Sequence, residues 1–216
     1  MIAQNIKILG TKVPFICGII LYRGVTMKKI SIGSIIALII YFVSLLLFLI
    51  TKTDLSLTFW ELMTVIGGIV YLILFIKLSE KISSDIFYKR LISVFMACGV
   101  TLTSVAHIVN ITVTRRLISN GINVPDYFRI GCWPSVEMAV DYLGWGLFVG
   151  LAFLCIAISI NNKKYNFIKI SCLLSGVLCL IGFIGALFIN ENLWYLAPMG
   201  YGIIPIYMCI KTMKIE

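Results

Sequence analysis

The sequence predicts an all-α integral membrane protein, a bundle of about six transmembrane helices with its N- and C-termini in the cytoplasm. Its composition, a series of long apolar runs and the distribution of basic residues lead to this prediction. Of 216 residues, 61% are hydrophobic and 12% are charged, a balance typical of membrane proteins rather than of soluble domains. The expected location is the cell (cytoplasmic) membrane, as a multi-pass protein in contact with the lipid bilayer.

Each apolar run is long enough to cross a bilayer as a helix, which satisfies its own backbone polar groups in lipid. The runs lie at about residues 30–50, 59–76, 91–112, 135–160, 168–189 and 193–210. Residues 1–26 differ in composition from the rest of the chain, with several basic residues and Pro14. Met27, followed by two lysines, resembles a natural start. We therefore interpret residues 1–26 as a leader or upstream extension and residues 27–216 as one transmembrane helical domain.

Lysine and arginine fall mostly on one side of the membrane when the runs alternate in direction. One side receives 14 of them and the other 4, or 11 against 4 without the leader. Basic residues accumulate in cytoplasmic loops, so both termini are expected there. Trp60, Trp133 and Trp194 lie at or near outer ends of runs, as interfacial anchors do. The formal charge of +9 is thus a topology signal, and no nucleic-acid partner is expected.

Ionisable residues within the runs gather near their predicted outer ends. A charge in lipid is costly, so such residues usually face the bundle interior and mark function. Helical spacing places polar residues of the third and fourth runs on two stripes, which we expect to face each other. The stripes consist of Thr103, His107, Asn110 and Thr114 in the third run and of Glu137, Asp141 and Trp145 in the fourth. Glu61 begins the second run from the same side.

His107 is the only histidine and lies at a predicted depth similar to that of Asp141, so the two can form a carboxylate–imidazole pair. Such a pair can serve as a proton relay, a general acid and base, or a ligand clamp. The alternative is a structural pair joining two helices, worth about 1 kcal/mol. The catalytic candidates are His107, Asp141 and Glu137. The predicted ligand-binding residues are Glu61, His107, Asn110, Glu137, Asp141, Trp145 and Tyr195.

Neither a metal nor a cofactor is assigned from the sequence. A single histidine excludes the multi-histidine sites of membrane zinc hydrolases. His107 with the three carboxylates named above is a weaker candidate for a hard or borderline divalent ion. The seven cysteines contain no C-x-x-C pair and no zinc spacing, so a disulfide framework is not expected.

Three further features concern the shape of the bundle. The outer loop from Thr114 to Pro134 is long for a helix connection, and it forms either a lid over the polar residues or an interfacial segment on lipid headgroups. In the last run, prolines and glycines predict a bend or local unwinding, which lines a cavity or is a simple kink. These residues are Pro198, Gly200, Gly202 and Pro205.

Small-residue pairs in the fourth and fifth runs permit close helix approach inside the bundle or in a homodimer.

Three stretches of the chain resemble a family of small microbial polytopic membrane proteins with no assigned activity. They are Ala106 to Asn110, Trp133 to Tyr142 and Asn190 to Gly200. The resemblance covers the second to the sixth run. It implies the same number of spans, and it supplies no reaction.

Three classes of function fit these residues. The first is binding or transport of a small molecule or lipid through an outward-facing polar pocket. The second is a membrane-embedded acid/base enzyme that uses His107 and Asp141 on a lipid-like substrate. The third is a structural or accessory membrane subunit whose polar residues set helix register.

The predicted topology can be tested with reporters fused after residue 216. A fluorescent protein that folds only in the cytoplasm should be bright there, whereas an alkaline phosphatase that requires export should be inactive. Moving both reporters to the connection near Lys52 should reverse the two signals. The opposite pattern at both positions would contradict the predicted orientation.

Overall fold

The computed structural model describes residues 25–215, and among them there are helices, turns and loops but no strand. The predicted all-α class is therefore confirmed. The predicted leader of residues 1–26 lies outside the described residues except for its last two, of which Thr26 caps the first helix by accepting from the backbone N–H of Lys29. That interpretation stays a prediction.

Six helices within residues 25–215 are long and apolar enough to cross a membrane. We name them spans one to six: Met27–Thr51, Asp54–Ile82, Ile86–Ser119, Val136–Ser159, Lys163–Leu187 and Asn192–Thr212. The chain is thus a multi-pass membrane protein, as predicted. Span three continues to Ser119, past the predicted end at residue 112. Arg115 and Arg116, which were expected to lie in the loop, are part of the helix. The outer loop, which we also call the outer connection and which joins spans three and four, accordingly begins after Ser119 rather than at Thr114.

Short polar residues start several of these helices by accepting hydrogen bonds from the free backbone N–H groups of the first turn. Thr53 caps span two, Asp85 caps span three and Ser135 caps span four. Spans one and two are joined by a tight turn in which Lys52 has a φ of 49°. Such a short connection makes the two helices antiparallel neighbours.

The spans form a ring in which each packs on the next in sequence and span six returns to span one. The orientation of the spans in the membrane stays a prediction, and we call the half of the ring nearer the C-terminus the inner half and the opposite half the outer half. The inner half is filled by apolar side chains, with Phe75 and Phe153 edge to face at 4.7 Å. At the inner end, the hydroxyls of Ser31 and Thr212 lie 2.8 Å apart and link spans one and six. The hydrophobic side chains that face outward are those expected to contact lipid.

The small residues singled out in the sequence pack helices within the bundle. A Cβ added to Gly146 would lie 2.7 Å from the Cβ of Phe183, and one added to Gly182 would lie 2.5 Å from the Cβ of Ala197. Spans four and five, and five and six, therefore approach at distances that only glycine allows. The homodimer stays a prediction, since these motifs serve contacts inside one chain.

Span six departs from regular α-helix at its prolines. A proline lacks the N–H that would bond the carbonyl four residues earlier, so Pro198 and Pro205 each free one carbonyl in lipid. The hydroxyl of Tyr142 donates to the carbonyl of Trp194 at 3.3 Å, and that of Tyr71 donates to the carbonyl of Tyr201 at 2.6 Å. Spans four and two thus supply the donors that span six lacks.

This compensation predicts a coupling between Tyr71 and Pro205. Replacing Tyr71 by Phe should lower the free energy of unfolding by about 1 kcal/mol, since the carbonyl of Tyr201 loses its donor. In a Pro205→Ala background the new backbone N–H can serve that carbonyl, and the same replacement should cost clearly less. Reversible unfolding in mixed micelles measures all four proteins of the cycle.

The matched control is Tyr207→Phe. Tyr207 belongs to span six, as Pro205 does, and its side chain is half exposed. It should change the free energy of unfolding by less than about 0.5 kcal/mol. Equal costs of Tyr71→Phe in both backgrounds would show that the hydroxyl does not replace the missing backbone donor.

Candidate functional site

Spans three and four each change helical pitch beside the predicted polar stripes. Residues Asn110–Thr114 and Leu143–Phe148 form π-helical turns, in which the N–H of one residue bonds the carbonyl five residues earlier. The N–H of Arg115 bonds the carbonyl of Asn110, and that of Val149 bonds the carbonyl of Gly144. Each π-helical turn changes the direction in which the following side chains point, compared with a continuous α-helix. Such turns are frequent at functional sites.

The two stripes face each other in the structure and meet Glu61 of span two. We call the resulting group the outer polar cluster: Glu61, His107, Asn110, Glu137 and Asp141. Four of its members are buried, and the side chain of Asp141 is 17% exposed. Spans two, three and four therefore bring five of the seven predicted ligand-binding residues into one region.

His107 lies between two carboxylates. Its Nδ1 is 3.7 Å from Oε1 of Glu61, and its Nε2 is 3.7 Å from Oδ1 of Asp141. The indole of Trp60 packs against the imidazole edge to face at 5.6 Å. The two distances suit ion pairs and exceed those of direct hydrogen bonds. Glu61, His107 and Asp141 thus form a row of three ionisable side chains across three spans.

Glu61 is held by two residues of span three. The side-chain amide of Asn110 donates to Oε1 of Glu61, and Nη1 of Arg115 lies 3.7 Å from Oε2. The guanidinium of Arg115 also contacts Oδ1 of Asp54 at 3.2 Å and hydrogen-bonds the hydroxyl of Thr58. Glu61 thus has a cationic partner that is itself partly exposed, and the glutamate and arginine join the outer ends of spans two and three.

Arg115 was not among the predicted site residues, because it falls in the outer loop that was expected to begin at Thr114. At α periodicity it lies about 80° around the helix from His107, so the stripe does not include it. The π-helical turn at Asn110–Thr114 turns it toward span two. No spacing rule predicts a π-helical turn from the sequence. A charged residue that follows an apolar run is instead interpreted as the end of the transmembrane helix.

Glu137 links the outer polar cluster, through Thr114, to the loop between spans three and four. The hydroxyl of Thr114 donates to Oε1 of Glu137 at 2.6 Å and lies 3.4 Å from the carbonyl of Phe128. Trp133 packs on Trp194 with ring centroids 5.0 Å apart, which ties the same connection to span six. The connection therefore covers the outer ends of spans three and six, although the side chain of Phe128 itself is exposed.

A cavity of about 20 Å³, partly open to the surface of the bundle, lies one to two helical turns from the cluster. Its exposed lining is apolar and comes from spans one, two, four and six. The lining residues are Ala37, Leu38, Tyr41, Met63, Thr64, Gly67, Gly68, Tyr71, Trp145 and Tyr201. Of the predicted ligand-binding residues, Trp145 lines the cavity, whereas Tyr195 is 69% exposed and joins neither cavity nor cluster.

Several buried polar atoms of this region have no hydrogen-bond partner in the chain. They include Nε1 of Trp60, Oε2 of Glu61, Oγ1 of Thr103, Nδ1 of His107 and Oδ1 of Asp141. Buried polar atoms in proteins are normally satisfied by the protein or by ordered water, so these atoms are able to bond water or the polar group of a ligand. Within residues 25–215, no group of three or more His, Cys, Asp or Glu side chains has an arrangement that could hold a metal ion.

Comparison with known proteins gives no relative: no family model, no curated protein and no solved structure matches the chain. The resemblance to a family of small microbial membrane proteins stays a prediction. What this chain does must therefore be argued from its own geometry.

The buried carboxylate of Glu61 leads to a prediction about stability. Glu61→Ala leaves the buried side-chain amide of Asn110 without its acceptor, while Arg115 keeps Asp54 at 3.2 Å, so the free energy of unfolding should fall by about 2 kcal/mol. Asp54→Asn is the control, because Asp54 is 92% exposed and exposed pairs contribute little. Unfolding in mixed micelles that showed equal losses for both variants would contradict the central role given to Glu61.

Proposed function

We propose that this membrane protein binds a small molecule or lipid whose polar end contacts the outer polar cluster. The observation that carries the proposal is the concentration of buried polar atoms without hydrogen-bond partners from the chain, one to two helical turns from a small, partly open apolar cavity. Pockets for small ligands commonly combine an apolar lining with a few polar groups that fix orientation.

Asp141 is the residue that joins the cluster to the cavity. It lies one helical turn outward of Trp145, which lines the cavity. It also lies within electrostatic reach of Tyr41 and Tyr201, two further lining residues. A ligand in the cavity therefore lies within reach of one carboxylate, and through it of His107 at 3.7 Å.

Span six supports transport as the purpose of binding. Its π-helical turn, Met199–Ile203, lies at the depth of the cavity and contributes Tyr201 to the lining. Broken or irregular helices in lipid are found where they line a substrate path. The proposed path opens outward, toward the side on which the cluster lies.

A second candidate function is acid/base catalysis on a lipid-like substrate. The specific observation in its favour is the imidazole of His107 between two carboxylates, an arrangement in which one group can accept a proton while its neighbour releases one. In that case turnover should follow a bell-shaped dependence on pH, and His107→Ala should abolish it. A structural or accessory role remains the alternative to both.

The proposal can be tested by mass spectrometry of small molecules and lipids that co-purify with the protein in detergent. Gly67→Phe should remove the bound compound by covering the opening of the cavity, because Gly67 belongs to its lining and a side chain added there extends into open space without a clash. Asp141→Asn and His107→Ala should weaken retention of the same compound. The loss is expected to be at least tenfold for Gly67→Phe.

Gly33→Phe is the matched control, since a side chain at Gly33 also meets no atom within 4 Å and Gly33 does not line the cavity. It should retain the compound at the wild-type level. Identical profiles for wild type, Gly67→Phe and both cluster variants would overturn the proposal and favour the structural role.

A further inference from the structure

We infer that the inner ends of spans five and six bind an anionic phospholipid. Its phosphate would contact the ammonium groups of Lys164 and Lys211, and its acyl chains would lie along exposed apolar side chains of the two spans. This site lies at the end of the bundle opposite the outer polar cluster, so it is independent of the proposed ligand. Charge, aromatic contacts and the apolar surface each point to this class of lipid.

The first argument is unbalanced positive charge. Five lysines lie at or near the inner ends of spans five and six: Lys163, Lys164, Lys169, Lys211 and Lys214. The sequence contains no Asp or Glu from residue 142 to 190 or from 192 to 215, and Glu216 lies outside the described residues. Within residues 25–215, none of the five lysines forms an ion pair with a carboxylate. An anionic headgroup at the membrane surface supplies the missing negative charge.

The second argument is the way in which aromatic rings position two of these lysines. The Nζ of Lys211 lies 5.0 Å from the ring centroid of Phe167 and 5.8 Å from that of Tyr207. The two rings pack edge to face with centroids 4.7 Å apart, which joins spans five and six below the lysine. Lys164 precedes Phe167 by three residues, and its Nζ lies 5.7 Å from the ring centroid of Tyr165. Aromatic faces attract an ammonium group without neutralising it, so its charge is left for a phosphate.

Lys169 differs from these two lysines, although it begins the same span. Its ammonium group donates to the carbonyl of Ile160 at 3.2 Å, a carbonyl just past the end of span four. Lys169 therefore serves the connection between spans four and five, whereas Lys164 and Lys211 contact aromatic rings. This contrast selects Lys164 and Lys211 as the residues that would bind the phosphate.

The third argument is the apolar surface that continues from these lysines toward the middle of the bilayer. Ile170 and Leu174 follow Phe167 at helical spacing, and they are 48% and 51% exposed. Ile203 lies one turn from Tyr207 on span six, and both are about half exposed. A phospholipid has the same order of parts, a charged headgroup followed by acyl chains. A soluble anion would use only the lysines and leave this surface to bulk lipid.

The inner ends of spans two and three provide a matched control. Lys81 is exposed, as Lys164 is, and Lys89 is partly buried, as Lys211 is. Unlike the inner ends of spans five and six, the stretch from residue 80 to 90 contains carboxylates beside its basic residues. Removing two lysines at either place changes the net charge of the protein equally.

Native mass spectrometry of the full chain, delipidated in detergent and titrated with single lipids, tests the inference. The probe is dioleoylphosphatidylglycerol, and dioleoylphosphatidylcholine with the same acyl chains is the reference. We expect a saturable adduct of the anionic lipid, and binding of the reference lipid that is at least about tenfold weaker. Glycerophosphoglycerol, the headgroup without acyl chains, should not compete.

The double variant Lys164→Gln/Lys211→Gln should weaken binding of phosphatidylglycerol at least about tenfold, since each lysine near an anionic headgroup contributes about fivefold in affinity. Lys81→Gln/Lys89→Gln should change the same affinity by less than about twofold, because long-range charge effects are screened by salt. If the first double variant does not fold, Lys164→Gln and Lys211→Gln replace it singly, and each should weaken binding by about fivefold.

Three outcomes would overturn the inference. Equal affinities for the two lipids in the wild-type protein would show that the headgroup charge is not recognised. Equal losses in the two double variants would show that net charge alone retains the lipid. Competition by glycerophosphoglycerol at the affinity of the lipid would assign the lysines to a soluble phosphate compound. None of these results bears on the outer polar cluster, which the co-purification experiment tests separately.

Discussion

The requirement that polar groups in lipid find partners within the protein governs this structure. Where Pro198 and Pro205 free carbonyls in span six, Tyr142 and Tyr71 of other spans donate to them. Where Glu61 enters the bundle, Asn110 and Arg115 of span three meet it. These polar contacts fix which helix faces lie together, because an apolar helix surface in lipid has little preference of its own.

The same requirement distinguishes the outer half of the bundle from the inner half. The inner half is closed by apolar packing, with Phe75 and Phe153 in edge-to-face contact. In the outer half, polar atoms of Glu61, His107 and Asp141 are buried without hydrogen-bond partners from the chain. A protein that needed polar residues only to join helices would be expected to satisfy them completely. The outer half is therefore where we place binding of a molecule from outside.

The proposed binding, transport and acid/base functions would all use the same residues. His107 contacts carboxylates on both sides, which suits proton exchange, and Asp141 extends from this pair toward a cavity lined by aromatic side chains. A proton on His107 would compensate the charge of Asp141 at 3.7 Å. A ligand that contacted the same carboxylate would therefore be coupled to the protonation of the imidazole.

The sequence by itself determined the membrane class, the number of spans and the stripes that carry His107 and Asp141, because hydropathy and helical period are local properties of the chain. The tertiary structure decided the rest. It brought Arg115 inward through a π-helical turn, assigned Tyr71 to a carbonyl of span six, left Tyr195 at the surface and created the cavity around Trp145. These features depend on how faces of different helices meet, which no periodicity within a single helix specifies.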